Sequence, residues 1–412
     1  MSNLFKHCNI FPALVVAYSL MFIIVYAFKV GFISPLIPIL GFVFYILLIY
    51  RPNIHNNSFV RKIICFIGGY TIFTLIYVVK FDFQTIVWYC SDKYLLLPYL
   101  CVFLGIKQFD ITIIKRIPQT LFLTTLFFLG ILFVFKDQIL VNDYNAMKEA
   151  FTDNQLSLDT ISKEFCFCSG FLLFCSPFSR KWKIYVVWCA FFICFLLSLF
   201  MARRNLIATI LLFFVFFIIG KIRSKQSNIF TKCVAFIVLV FSSILIFNIA
   251  KGVMNGSSSI ALLENLSLRM SNFDSDGRFN VQNFLLNDLN ENPLRWIFGK
   301  GINGSYYCPG FTESGYRNII ETGFLQIVLR IGLLGLLSYL IVVIYTVKNS
   351  INGNVFIRSA SYYIIIYSIQ TVYAGVPAFD LGWVLFWILI SICNNRKFRD
   401  LTDNEIKQIL CQ

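Results

Sequence analysis

Residues 184–220 read IYVVWCAFFICFLLSLFMARRNLIATILLFFVFFIIG. Two apolar runs, Ile184 to Met201 and Leu206 to Gly220, flank the doublet Arg203-Arg204. Each run approaches the length that crosses about 30 Å of hydrocarbon as a helix. The segment therefore reads as two membrane spans meeting at a cationic turn. Further apolar runs lie at 11–28, 31–50, 63–79, 94–106, 117–135, 163–178, 233–250, 331–347, 359–378 and 381–393, twelve in all, with 94–106 and 381–393 short for a full crossing. With 58% hydrophobic and 13% charged residues, and a mean hydropathy of +0.76, the chain has too few polar groups to cover a water-soluble surface. The expected fold is an all-α polytopic membrane protein of about twelve transmembrane helices.

Charge sets the orientation. Lys6 precedes the first run and no small-residue cleavage site follows it, so that run reads as an uncleaved span with a cytoplasmic N-terminus. Threading from there, the inside segments hold 20 Lys+Arg and 4 Asp+Glu, and the outside segments hold 15 and 16, together the 35 and 20 of the chain. The net charge of +15 is thus about +16 inside and −1 outside. The positive-inside rule then puts both termini in the cytoplasm. It also removes the inference from a basic chain to nucleic acid, because these cations face cytosol and anionic headgroups.

On this threading, 1–250 carries spans one to nine, 251–318 is a large outside loop, 319–393 carries the last three spans, and 394–412 is a cytoplasmic tail. Most of the thirteen cysteines lie in apolar runs, where a thiol serves as a small apolar residue. Cys90 and Cys308 fall outside, and whether they pair is left open. The two histidines, His7 and His55, are both expected in the cytoplasm, and no His/Cys cluster suggests a metal.

In the large loop, Val281, Phe284, Leu285 and Leu289 recur at helical spacing between a turn at Asp274 to Gly277 and a stop at Asn292-Pro293. This predicts a short amphipathic helix, lying on the membrane surface or simply packing the loop down. Arg317 and Glu321 are four apart and would share a helix face at the mouth of the next span. Arg330 would sit about three turns deep in a straight helix, and so needs a partner, a polar cavity, or a bend near Gly323 or Gly332.

Charges at span edges are the chemical candidates, since a charge at a span centre costs roughly 2.5–3.5 kcal/mol. Arg203 and Arg204 either hold an anionic substrate or anchor to headgroups. The planar fork of Arg matches phosphate oxygens, and no acid in that turn balances the pair. Arg278 would open the loop helix, where free amides attract anions, or pair with Asp274 or Asp276. Glu321 would be a proton acceptor if partial burial raised its pKa, or would neutralise Arg317. Arg295, Lys300, Arg317 and Arg330 are weaker candidates. Gly299-Lys300-Gly301-Ile302-Asn303-Gly304 fits the dinucleotide pattern G-x-G-x-x-G, yet no βαβ unit surrounds it; tight turns explain it better.

Together these segments resemble the O-antigen polymerase and ligase superfamily, most closely the Wzy-type polymerases. The resemblance rests on Ala202-Arg203-Arg204-Asn205, Gly277-Arg278, Leu294 to Gly301, Glu321-Thr322-Gly323-Phe324-Leu325-Gln326 and Gly332-Leu333-Leu334-Gly335. Ligases of the superfamily carry a His where this chain has Glu321, which favours polymerase over ligase. The resemblance implies a GT-C-like architecture in the bacterial inner membrane, with the large loop in the periplasm. It implies glycosyl transfer between polyprenyl-diphosphate-linked oligosaccharides, undecaprenyl diphosphate being the carrier type, in lipopolysaccharide biosynthesis. It further implies no metal or cofactor, and a Wzz-type chain-length regulator as partner. Glu321 and Arg278 would be catalytic, and Arg203, Arg204, Arg317 and Arg330 would bind pyrophosphate. Trp296, Tyr306, Tyr307 and Tyr316 would stack on sugars. A flippase or exporter of lipid-linked glycans is the competing class.

Overall fold

The computed structural model describes residues 57–78, 89, 94–134, 158–178, 181–200, 204–223, 278–310, 315–373 and 377–411. The runs at 11–28, 31–50 and 233–250, most of the loop 136–162 and residues 251–277 lie outside the described residues. The described chain is mostly helical. Helices α1 (Ser58–Val78), α2 (Leu96–Leu100, continued by a 3-10 turn, Cys101–Ile106), α3 (Ile113–Val134) and α4 (Leu158–Phe174) come first. They are followed by α5 (Lys181–Phe200) and α6 (Arg204–Arg223). After a two-helix segment, α7 (Arg278–Asn290) and α8 (Pro293–Phe298), comes a ribbon of β1 (Tyr306–Tyr307) and β2 (Tyr316–Arg317). Helices α9 (Gly323–Ser350), α10 (Val355–Tyr373), α11 (Leu381–Asn394), α12 (Arg396–Arg399) and α13 (Asp403–Cys411) complete it.

Among the described residues, Ile113–Val134, Lys181–Ser198, Asn205–Arg223 and Gly323–Ser350 are long and apolar enough to cross a membrane. They leave Leu123, Phe133, Phe192 and Ile344 exposed, a surface that lipid would cover. The centre of the bundle is built differently. All fourteen residues of α11 are buried, although about 21 Å of helix is short for a crossing. Protein surrounds α11 where lipid surrounds the outer helices, so its ends do not have to reach water. Its first turns carry Trp383, Phe386 and Trp387, packed with Tyr339 of α9 and Tyr367 of α10; the Trp383 and Phe386 rings stack 5.3 Å apart. Helix α10 is mostly buried too but rich in hydroxyls. Ser361 and Thr371 donate to the carbonyls of Ile357 and Tyr367 one turn back, so they are satisfied without water.

Side-chain bonds sort the helix ends into two sets. At one, the cap end, Lys163 of α4 meets Asp380 before α11, and Thr209 of α6 meets Tyr373 of α10. At the other, the tail end, Asn57 meets Tyr345 and Asn394, and Asn394 donates to Thr346. The tail also docks there, since Asn354 donates to the carbonyls of Phe398 and Leu401.

The cap is small and has its own core. Val281, Leu285 and Leu289 of α7 are buried against Tyr306, Cys308, Ile320 and the first turns of α9 at Val328 and Leu329. The apolar face of α7 is thus covered by the cap itself, which is the packing alternative to a membrane-surface helix. Asn292 stops α7 and starts α8, its side chain accepting the Leu294 amide at 3.0 Å with Pro293 in the first helical position.

The cap is joined to the bundle through a break in α9. Gly332 has φ +67° and ψ −175°, which interrupts the helix where the sequence allowed a bend. Two carbonyls near the break, those of Leu329 and Arg330, accept the amides of Lys300 and Gly301 at 2.7 and 3.0 Å. Backbone touches backbone at this point. A Cβ on Gly332 would lie 2.1 Å from the Ile297 carbonyl oxygen, and one on Gly299 would lie 2.6 Å from the Gly332 nitrogen. Gly299 and Gly301 also take positive φ, so the glycine pattern forms tight turns that seat the loop. Tyr70 of α1 donates to the Phe298 carbonyl, and Ile302 packs on Tyr89, Leu95 and Leu96, which fixes the seat from two more sides.

Candidate functional site

The cap end collects most of the residues singled out in the sequence. Arg203 lies outside the described residues. Arg204 and Arg278 are the first residues of α6 and α7. The Thr209–Tyr373 contact puts the start of α6 at the cap end.

Arg317 lies on β2 opposite Tyr306, not on a helix face with Glu321. The reason is the ribbon: β2 pairs with β1, and the chain then bends at Glu321 before α9 starts at Gly323. Glu321 is exposed, which corrects the expectation of a partly buried carboxylate. Both charges act on Tyr306, whose hydroxyl burial pushes up to about 12, Arg317 pulling down and Glu321 pushing up. That hydroxyl donates to the Ile319 carbonyl at 3.2 Å.

Arg330 is fully buried, yet only eight residues into α9 and above the break. Its guanidinium donates to the Asn318 carbonyl, and Gln326 bonds the same carbonyl while accepting the Ile320 amide at 2.8 Å. Arg330 and Gln326 therefore clamp the turn that presents Arg317 and Glu321. The charge of Arg330 is also felt at Tyr89 and Tyr99.

The aromatic candidates divide. Tyr307 and Tyr316 form an exposed pair across the ribbon, ring centres 5.5 Å apart. Trp296 is half-buried against the cap core and donates its indole N–H to Asn290 at 3.0 Å. Arg295 and Lys300 have structural partners: Arg295 pairs with Glu291 at 2.9 Å, and Lys300 with Asp288 at 2.8 Å. Cys308 is a free, buried thiol, and Cys90 lies outside the described residues.

Sequence reasoning missed one constellation. Lys163 and Asp380 form an ion pair at 3.0 Å, with Asp380 only 6% exposed. Asp380 also caps α11, accepting the Trp383 amide at 2.7 Å. Glu164 is buried beside them, within electrostatic reach of Tyr363 and Tyr367. The signal was present, since Lys163-Glu164 and Asp380 border the runs 163–178 and 381–393 as Arg203-Arg204 borders its own. Segment 94–101 links this pair to Arg330: Tyr94 is within reach of Lys163, Tyr99 of Arg330, and Trp383 donates to the Pro98 carbonyl at 2.7 Å.

Lys163, Glu164, Arg330 and Asp380 sum to zero formal charge. The buried layer is thus balanced, and a bound anion would have to be met by the cations above it. Among the described residues, no three His, Cys, Asp or Glu side chains gather as metal ligands. The chain matches no family model, no curated protein and no solved structure.

Proposed function

We propose that the chain is a glycosyltransferase that polymerises lipid-linked oligosaccharide repeat units at the outer face of a bacterial inner membrane. In this reading the twelve apolar runs are spans, both termini are cytoplasmic, and the loop 251–318 is periplasmic, so the cap end faces outward. The observation that carries the reading is the clamped turn. One fastened surface of the cap brings together a cation, Arg317, a carboxylate, Glu321, and an exposed aromatic pair, Tyr307 and Tyr316.

The chemistry asks for those groups. An acceptor hydroxyl attacks the anomeric carbon of the growing glycan, the bond to the lipid diphosphate breaks, and Glu321 takes the hydroxyl proton. Negative charge builds on the departing diphosphate, where Arg203, Arg204, Arg278 and Arg317 stabilise it. Arg330 serves as a positioning residue for the 317–321 turn, given its burial and its bond to Asn318. The tyrosine pair holds sugar rings, and a Wzz-type regulator would limit chain length.

The broken helix α9 and the recessed Lys163–Asp380 pair favour a second reading, transport of the lipid-linked glycan, since transporters use both features. The loop amides of Lys300 and Gly301 already occupy two carbonyls beside the break, which weakens that alternative. Purified protein in detergent, with no bilayer to cross, separates the two. With polyprenyl-diphosphate-linked repeat units we expect a ladder of longer glycans. The Glu321→Gln variant should be slower by roughly 100-fold or more, as for loss of a general base. Absence of elongation by the wild type, combined with passage of the lipid-linked unit across proteoliposomes, would overturn the polymerase reading.

A further inference from the structure

At the tail end, away from the candidate site on the cap, a cavity of about 450 Å³ opens where α4 and α6 end, α10 begins and α13 crosses. Four cations line it: Lys221 and Arg223 from the last turn of α6, Arg358 from the first turn of α10, and Lys407 from α13. Asp403 is the one carboxylate among the lining residues, and it is engaged, accepting the Val355 amide at 2.7 Å. The lining thus carries three formal positive charges more than negative ones, by four cations against one acid.

Two of the cations are held in place by the protein. Arg358 donates to the Gly353 carbonyl at 3.2 Å and Arg223 to the Asn352 side chain. The Nε of Arg358 is buried without a hydrogen-bond partner among the described residues, a donor that an anion would satisfy. Phe217 and Tyr362 supply an apolar wall, and the Lys221 ammonium lies 5.5 Å from the Phe217 ring centre. Depth fits as well. Lys221 is the first charged residue after the apolar stretch that begins at Asn205, in a helix long enough to cross a membrane, so the cavity sits at headgroup level.

We propose that this cavity binds a phosphate-bearing anion, seated as the headgroup of an anionic phospholipid with its glycerol and acyl portion along Phe217 and Tyr362. Basic pockets between spans are the known chemistry for such headgroups. The bound anion would join α6, α10 and α13, and so add a staple to the tail helix, which is docked through buried Ile406 and the Asp403–Val355 bond. This inference does not depend on the glycan chemistry of the cap end.

The test uses the full-length protein, delipidated in a neutral detergent. It is titrated separately with phosphatidylglycerol, phosphatidylcholine and inorganic phosphate, reading bound lipid by native mass spectrometry and Tm by thermal unfolding. Phosphatidylglycerol should bind and raise Tm, and phosphatidylcholine should do neither. Lys407→Gln, on the exposed part of α13, should weaken binding about fivefold, and adding Arg358→Gln about fivefold more, the effect of one basic residue near an anionic surface. Lys397→Gln, at the same end but outside the cavity, should leave binding unchanged. Stabilisation by inorganic phosphate to the same extent would uphold the anion site and identify free phosphate as sufficient. Equal response to both lipids, or wild-type binding by Lys407→Gln and by the double variant, would overturn the proposal.

Discussion

The two ends of the bundle are both crowded with polar side chains, yet they are held together by different means. At the cap end a half-buried cation is paired with a buried carboxylate, Lys163 with Asp380, and a backbone break is stitched by a loop. At the tail end most links between elements are neutral amides and hydroxyls, Asn57, Asn394, Thr346 and Asn354, and the charged groups that take part, Arg223 and Asp403, bond to a neutral amide each rather than to each other. A neutral link costs little to bury and tolerates a change of partner; a buried charge pair commits both members to one geometry. The cap end is therefore the more rigidly specified of the two, as an end that must present several groups in fixed register needs to be.

That contrast can be broken most severely at Gly332. Gly332→Ala forces a Cβ against the Ile297 carbonyl at a positive φ, and should cost about 3 kcal/mol or more and unseat the cap. Limited proteolysis across 278–310 would show it as faster cleavage. Gly130→Ala, where nothing lies within 4 Å, should not destabilise the protein and serves as the control. Next comes Asp380→Ala, expected to cost about 3 kcal/mol by removing a helix cap and leaving mostly buried Lys163 unbalanced. Denaturant unfolding with Lys163→Met as the second arm of a double-mutant cycle should give a coupling of about 1 kcal/mol or more, and no coupling would erase the distinction between the ends. The smallest effect belongs to the tail end. Asn394→Ala should lose about 1 kcal/mol in the same unfolding assay, the worth of a neutral hydrogen bond; a loss as large as that of Asp380→Ala would show both ends to be equally committed.

How far the sequence reached follows the same division. Helices α5 and α6 were legible because their apolar runs are long and end in charge, and the α7 spacing and the bend at Gly332 were legible because periodicity and glycine act locally. The Lys163–Asp380 pair was not, because its members are 217 residues apart and only the packed fold brings them together. Arg317 and Glu321 were misread as helical neighbours, since their spacing of four fits a helix and the ribbon that overrides it needs a partner ten residues upstream, at Tyr306 and Tyr307. The run at 359–378 was legible as apolar, but the central position of α10 was not, because it rests on distant partners such as Gly382 for Tyr363 and Tyr339 for Ser368 that only the packed fold supplies.

The stitch across the α9 break also orders events during synthesis. Lys300 and Gly301, which supply the closing amides, leave the ribosome before α9 does. The part of α9 from Gly332 to Ser350 is about 28 Å long, enough to lodge in the bilayer by itself. The carbonyls of Leu329 and Arg330, just before Gly332, gain their amide partners only once the preceding loop has folded over them. The helix that anchors the cap is thus finished by the cap it anchors.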